Sequence, residues 1–391
     1  MLAPISIFAY RITINQSRVT NHHQTMKKHL LLFITTICLS HFLIAQTDSI
    51  PPDNQLLRKS SIIVLPLAFY TPETRFGGGA ASIFAFRIRG NSDETKPSQA
   101  QIGFAYTQEK QILSYLPFQL YFKEQKWFSY GELGYYRYVY QFYGVGNDTN
   151  EDDKEAYDAN YPRVRLNVLK KVSPKIYVGA RYWFDDYQIE NREANGLLDK
   201  GDFTGQKGGI ISGLGLVANR DSRDQVFYPT KGNFTDVVLY TNQKNLGSDF
   251  NFTRFSVDAA QYIKLSENGI LATNAFIDFV FGEPPFQQLA FIGGSKKLRG
   301  FFEGRYRDKK MWILQAEYRQ WIWKFIGGTI FAGAGSVAPE IGDFTSQKIH
   351  YSYGAGLRIR VSKKDKINLR LDAGFDEEFN FLPYITVNEA F

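Results

Sequence analysis

The chain has 391 residues, a formal net charge of +7, one cysteine, five histidines and a mean hydropathy of −0.29, and 16% of its residues are aromatic. A single cysteine excludes a disulfide scaffold and a cysteine-rich zinc module. A membrane-spanning helix needs roughly 18 or more apolar residues in a row, and the nearest approach is the interrupted run 30–45. A helical membrane protein is therefore excluded as well.

Residues 26–45 have the order of features found in export signals. Two lysines follow a methionine, an apolar core follows the lysines, and the segment ends on the small residue Ala45. This order predicts a secretory signal peptide over 26–45, with cleavage after Ala45, whereas a membrane anchor would have a longer core. Residues 1–25 are then interpreted as an upstream leader from an early start codon, and residues 46–61 as a short periplasmic segment.

Removal of the predicted leader and signal changes the charge balance. Residues 1–45 hold four of the 46 basic residues and none of the 39 acidic ones, so 42 basic residues remain against 39 acidic ones, a net charge of +3. A charge this small does not indicate a nucleic-acid partner. His350 is the only histidine left and no cysteine is left, which excludes a cysteine nucleophile and a multi-histidine zinc site. We expect no metal and no cofactor.

The rest of the chain has a period of two, which predicts strands with two different faces. Segments 176–185, 351–361 and 367–375 alternate apolar or aromatic residues with arginine, aspartate, asparagine or glycine. A soluble sandwich would carry lysine, glutamate and threonine on its polar face and would have shorter strands. Arginines and glycines on one face, with aromatic residues near the strand ends, favour a transmembrane barrel with lipid outside and a polar lumen.

The pattern predicts a single antiparallel transmembrane barrel of sixteen strands over residues 62–391, an all-β fold. The strands lie near residues 62–70, 76–88, 98–108, 111–122, 126–140, 161–171, 174–187, 207–220, 232–241, 250–264, 270–282, 311–324, 326–336, 347–362, 366–376 and 380–391. If both ends are periplasmic, the long connections fall outside, as such barrels require. These connections are 141–160, 188–206, 242–249, 283–310 and 337–346.

The longest connection, 283–310, is rich in glycine, phenylalanine and arginine and has no acidic run. Such a composition is typical of a segment that folds back into the lumen, where its arginines can meet carboxylates on the barrel wall. Glu317 is a candidate partner, because the period of two places it on the inward face of the following strand.

The sixteen-strand pattern, the connection 283–310 and the inward Glu317 together resemble the BamA/TamA-type surface-antigen superfamily of outer-membrane assembly and translocation barrels. The resemblance implies an inward loop between strands eleven and twelve, tipped by a motif that matches Leu298, Arg299, Gly300 and Phe301. It also implies that Glu317 is the partner of the loop arginine. The turn after strand eight matches a family turn through Arg220, Asp221, Arg223, Asp224, Pro229 and Gly232.

The sequence departs from the family pattern in two places. Gly333 stands where members usually have an aspartate, so we expect Arg299 to depend mainly on Glu317 and the loop to be held less firmly. Segment 46–61 is too short for the periplasmic POTRA modules of family assembly factors, which puts substrate delivery in doubt. Phe391 resembles the C-terminal signal of outer-membrane barrels, and this implies insertion by the barrel assembly machinery.

The resemblance implies a protein that assists insertion, assembly or translocation of proteins, or of lipids, at the outer membrane of a Gram-negative bacterium. Outer-membrane lipids, client barrels and periplasmic or lipoprotein factors are the expected partners. Pro66 and Pro383 each remove a ladder donor from the first and last strands, which indicates either weak closure or strand bends. A passive channel or a structural barrel is the alternative. An enzyme is not expected, because the sequence contains no nucleophile motif, such as G-x-S-x-G, that could act together with His350.

Overall fold

The computed structural model describes residues 61–92, 95, 97–191, 195–362 and 366–391. The predicted leader, the predicted signal peptide and residues 46–60 lie outside the described residues. Within the described residues, one short α-helix is present, α1 (Leu197–Lys200). No helix in this part of the chain has the length and apolar character needed to cross a membrane.

Eighteen strands are formed by the described residues. They are β1 (Ser61–Thr71), β2 (Arg75–Phe86), β3 (Ser98–Thr107), β4 (Ile112–Phe122), β5 (Trp127–Phe142), β6 (Glu155–Ser173), β7 (Ile176–Asn191), β8 (Gly208–Asp221), β9 (Gly232–Asn242), β10 (Phe252–Lys264), β11 (Gly269–Gly282), β12 (Ala290–Ile292), β13 (Tyr306–Asp308), β14 (Lys310–Trp323), β15 (Ile326–Ala338), β16 (His350–Ser362), β17 (Ile367–Phe375) and β18 (Phe381–Val387).

Sixteen of these strands form one closed barrel. Every neighbour in the ring is antiparallel and follows chain order, except that β14 lies beside β11 because β12 and β13 form a separate hairpin between them. β18 returns to β1 and closes the ring. The predicted fold, a sixteen-stranded antiparallel barrel with a long connection between the eleventh and twelfth barrel strands, is confirmed.

Side chains alternate between the two sides of the barrel wall. On the outer face, Leu314 is 56% exposed and Ile330 is 63% exposed, although both are apolar. On the inner face of β14, Glu317 and Arg319 are buried. An exposed apolar outer band around a polar interior is the arrangement that a barrel adopts in lipid.

The connections differ in length at the two ends of the barrel. One end, here called the long-loop end, carries the long connections 143–154, 192–207, 243–251, 283–309 and 339–349 and the short turns 72–74, 108–111 and 376–380. The other end, here called the short-turn end, carries the turns 123–126, 174–175, 265–268, 324–325 and 363–366, together with the longer segments 87–97 and 222–231. The five long connections predicted for one end thus all lie at the same end.

Four predicted boundaries are wrong by three residues or more, and two of them are that β7 ends at Asn191 and not at 187 and that β16 begins at His350 and not at 347. β6 begins at Glu155 and not near 161, because Tyr157 and Ala159 are buried and continue the inward face, and Tyr157 packs on Phe286 with ring centroids 5.2 Å apart. The last strand ends at Val387 and not at 391. Its final residues turn away from the wall into the lumen, as described below.

Candidate functional site

The connection 283–309 folds into the lumen. It contains a 3-10 turn at Phe286–Gln288 and the short hairpin of β12 and β13, with the tip between them. Ile292 and Leu298 are 0% and 1% exposed. A solvated loop does not bury its apolar residues in this way. We refer to residues 283–309 as the inward loop.

The tip of the inward loop places Arg299 between two carboxylates. Its guanidinium forms an ion pair with Glu317 on β14 and a second one with Asp372 on β17. Its Cζ lies 3.6 Å from the ring centroid of Phe331, a cation–π arrangement. All three charged side chains are at most 1% exposed, so the pairing is shielded from water and salt.

The expectation that Arg299 depends mainly on Glu317 is wrong. Asp372 supplies the second carboxylate from β17, two strands along the chain from Gly333 on β15, where family members usually carry an aspartate. Gly333 makes room for a different contact, since a Cβ built there would lie 3.0 Å from Cδ1 of Leu298. Two acidic residues thus hold the inward loop. Leu298 of the loop occupies the space that an aspartate at position 333 would take.

The other motif residues also lie in the lumen. Gly300 has φ of +118°, and an added Cβ would lie 2.6 Å from the carbonyl oxygen of Phe375. Its backbone N–H donates to the Tyr384 hydroxyl at 3.1 Å. Phe301 is 4% exposed, with its ring centroid 6.0 Å from that of Tyr306. Only glycine fits where the loop backbone presses on β17.

Arg299 belongs to a larger set of buried charges, which we call the central charge cluster. Its members are Arg299, Arg319, Arg358, Arg370, Glu317, Asp372 and Glu389. The Arg319 Nε lies 2.7 Å from the Glu317 Oε1. The Arg358 guanidinium reaches Asp372 Oδ1 at 2.6 Å and Glu389 Oε2 at 2.7 Å. Each side chain is at most 2% exposed.

Buried charges are tolerated only where partners replace the lost water, and breaking such a pair costs about 3–5 kcal/mol. In the central charge cluster each carboxylate meets at least two arginines. Alternation on β17 and β16 already placed Asp372 and Arg358 inward. Sequence reasoning missed that Asp372 meets the loop tip and that Glu389 joins the same cluster.

The turn matched to the family lies at the short-turn end, apart from the loop tip. Arg223 binds Asp221 through two hydrogen bonds of 2.9 Å. Arg220 is exposed, Pro229 is buried and Gly232 begins β9. The turn therefore supports the short-turn end and does not join the central charge cluster.

Asp224 organises the same turn. Its carboxylate accepts hydrogen bonds from the hydroxyl and the amide of Thr230 and from the amide of Lys231, at 2.5, 2.8 and 3.2 Å. Partial burial opposes ionisation, but these hydrogen bonds outweigh it and hold the pKa of Asp224 below its ordinary value of 3.8. Tyr228, later in the turn, folds over the end of the lumen against Trp321, with ring centroids 5.5 Å apart.

Phe391 does not lie on the last barrel strand. β18 ends at Val387, and the Phe391 ring packs inside the lumen beside Ala260, Tyr262 and Ala272. A lipid-facing C-terminal aromatic residue would stand on the outer wall. The location of Phe391 in the folded barrel does not test the C-terminal assembly signal, which stays a prediction.

His350 joins three segments at the long-loop end. Its Nε2 lies 2.9 Å from the Asn147 carbonyl oxygen, its Nδ1 lies 3.1 Å from Glu377 Oε1, and its ring stacks on Tyr306 at 3.7 Å. Both ring nitrogens thus have partners that are not hydroxyl groups. Among the described residues, no group of three or more metal-ligating side chains is arranged to hold an ion.

The seam between β1 and β18 is paired much less than the other strand junctions. Among the described residues, Tyr70 and Ile385 are the only pair aligned across it. On its other side β1 is aligned with β2 along its whole length, from Ser61 opposite Ala85 onward. With one aligned pair, the part of the seam that the structure describes offers few ladder hydrogen bonds to the backbone N–H and C=O groups of β1, and an unpaired backbone group is costly in a bilayer.

The chain matches the Omp85 superfamily domain over residues 86–363, more than half of its length. The chain belongs to the Omp85 superfamily. The predicted BamA/TamA-type resemblance is thereby confirmed. Omp85 barrels are bacterial outer-membrane proteins, and the exposed apolar band of this barrel agrees with that location.

Solved Omp85 structures share this fold. The crystal structure of BamA from Haemophilus ducreyi lacking POTRA domains 1-3 is similar with a TM-score of 0.59 and 14% identity, over 84% of this chain and 70% of that chain. CdiB from Acinetobacter baumannii has a TM-score of 0.55 and 11% identity, over 84% and 59% of the two chains. CdiB from Escherichia coli has a TM-score of 0.56 and 10% identity, over 87% and 63%.

Identities this low establish a common fold and nothing finer. The chain spans less than two thirds of either CdiB chain. No curated protein matches the sequence. The role of this Omp85 barrel has to be argued from its own geometry.

Proposed function

We propose that this Omp85 barrel assists the insertion, assembly or translocation of proteins, or of lipids, at the bacterial outer membrane. The observation that carries the proposal is the seam, where Tyr70 and Ile385 are the only aligned pair among the described residues. An edge strand with free backbone groups is a template for another strand. An incoming chain can therefore pair with β1 without first breaking a full ladder.

The mechanism we propose needs no covalent chemistry. Separation of β1 from β18 exposes two strand edges to the bilayer, and an incoming strand satisfies their N–H and C=O groups. Pro66 and Pro383 lie on these two strands and each lacks a ladder donor. Outer-membrane lipids and client barrels are the proposed partners, the long-loop end faces outward, and the predicted signal peptide delivers the chain to the periplasm.

The filled lumen supports this proposal over a passive channel. The inward loop buries its tip against β14 and β17, and Tyr228 and Phe391 cover the short-turn end. Polypeptides entering at the seam do not need an open pore. Inward arginines would favour anions only if the lumen were open.

Depletion of the protein, followed by an inventory of outer-membrane proteins and lipids, tests the proposal. We expect a subset of barrel proteins or a lipid class to fall, and to return when the wild-type chain is expressed again. The matched control is depletion of an unrelated outer-membrane barrel of similar abundance. An unchanged inventory would refute the assembly role and favour the channel or a structural barrel.

A further inference from the structure

Segment 388–391 leaves the barrel wall by a sharp backbone turn. Asn388 follows β18 with φ of +67°, a left-handed conformation that L-residues rarely adopt. Its backbone N–H donates to the Asn368 carbonyl oxygen at 2.9 Å, so the turn is fixed against β17. The next three residues therefore point into the lumen.

Glu389 and Phe391 are held by specific contacts. The Glu389 carboxylate accepts from Arg358 Nε at 2.7 Å and from Asn368 Nδ2 at 2.8 Å. The backbone oxygen of Phe391 accepts from Arg319 Nη2 at 2.9 Å. Counted with their backbone atoms, Glu389 and Ala390 are 9% and 5% exposed. A segment without such anchors would stay in water.

The segment crosses the lumen at the short-turn end. It starts from β18, yet its aromatic ring packs on Ala260, Tyr262 and Ala272 of β10 and β11. Five strands separate β18 from β10 along the shorter arc of the ring. Tyr228 from the turn 222–231 lies beside it, with Arg319 Cζ 5.8 Å from its ring centroid and 5.7 Å from that of Phe391.

The two arginines that bind segment 388–391 also bind the carboxylates that hold the inward loop. These arginines are Arg319 and Arg358. Arg358 binds Glu389 and also Asp372 and Glu317, at 2.7, 2.6 and 3.3 Å. Arg319 binds Glu317 at 2.7 Å and lies 3.6 Å from Glu389. Glu317 and Asp372 in turn hold Arg299. The guanidinium groups of Arg319 and Arg358 thus contact Glu389 of segment 388–391 and also Glu317, which binds Arg299 of the inward loop.

We infer that segment 388–391 is an internal latch: it closes the short-turn end of the lumen and, through Arg319 and Arg358, keeps the inward loop docked. Without Glu389, these arginines have one carboxylate fewer and draw on Glu317 and Asp372, which weakens the hold of both carboxylates on Arg299. Release of the latch therefore loosens a loop whose tip it does not touch. The inference does not rest on the assembly role.

A buried cysteine in the inward loop tests the latch. Leu298 is 1% exposed, so Leu298→Cys, in a full-length chain carrying Cys38→Ser, reacts with a water-soluble maleimide only when the loop undocks. Cysteine is a small apolar residue that suits a buried site. Labelling of such a site follows the population of the open state when opening is fast.

Addition of Glu389→Gln should raise the labelling rate of folded barrels in detergent by about tenfold or more, because charge-assisted hydrogen bonds are about twice as strong as neutral ones. Phe391→Ala, which removes the apolar anchor and keeps every charge, should raise the rate as well. Glu378→Gln changes an exposed acid in the turn 376–380 and should leave the rate unchanged. Unchanged labelling in both latch variants would overturn the inference, whatever depletion shows about assembly.

Discussion

Replacement of Arg299 by alanine is the sharpest perturbation of the inward loop. The substitution removes two ion pairs, with Glu317 and Asp372, and the contact at 3.6 Å with the Phe331 ring. Both carboxylates stay buried at 0% exposure. The loop loses its main polar anchor, and the wall keeps two acidic groups that water cannot reach.

The free-energy cost of Arg299→Ala depends on the arginines that still contact Glu317 and Asp372. Loss of one partner of a buried pair costs about 3–5 kcal/mol. Glu317 keeps Arg319 and Arg358, and Asp372 keeps Arg358 and Arg370, so the cost lies near the lower limit. About 3 kcal/mol corresponds to an increase of roughly 150-fold in the undocked population.

Maleimide labelling of Leu298→Cys measures that population directly. The Arg299→Ala chain should label about two orders of magnitude faster than its parent, and its barrel should still migrate as a folded species on an unheated gel. Arg220→Ala removes an exposed arginine on β8 and is the matched control with no expected change. A labelling rate within twofold of the parent would refute the role assigned to Arg299.

Three further predictions follow from the same geometry. Gly300→Ala should undock the loop by about 1–3 kcal/mol, because φ is +118° and the new Cβ would meet the Phe375 carbonyl oxygen; equal labelling of Leu298→Cys would contradict this. Asp224 has a lowered pKa in the folded barrel, so the stability that its carboxylate gives the turn 222–231 is complete above about pH 4 and is lost as the pH falls through that lowered pKa. Amide hydrogen exchange at Thr230 should become faster as the turn loses this stability, and Asp224→Asn should abolish this pH dependence. In planar bilayers the intact barrel should show no large steady conductance, and deletion of 290–308 should produce one; a large conductance before deletion would count against a filled lumen.

The sequence predicted the barrel well because its signal is local. Strict alternation, as in Ile367–Phe375, reports the two faces of a wall whatever the neighbours are. The boundaries failed where packing decides. Residues 155–160 are polar enough to resemble a loop, yet Tyr157 extends β6 by packing on Phe286 of the inward loop.

The site was predictable only in part for the same reason. Arg299 and Glu317 were identified through a resemblance, and the structure places them in contact. The contribution of Asp372 depends on how far across the lumen the loop reaches, which no local pattern records. Segment 388–391 was similarly hidden, because Asn388 is compatible with a left-handed turn but does not indicate where the residues after it pack.

A reversible lock on the seam tests the central claim most directly. Tyr70 and Ile385 are opposite each other across the seam, and directly opposite residues of antiparallel strands have Cα atoms about 4.5–5.5 Å apart, which suits a disulfide. In depleted cells, the oxidised Tyr70→Cys/Ile385→Cys chain should insert but fail to restore the outer-membrane inventory. Reductant, or either single cysteine, should restore it. Full restoration by the oxidised, cross-linked barrel would contradict a function that depends on opening this seam.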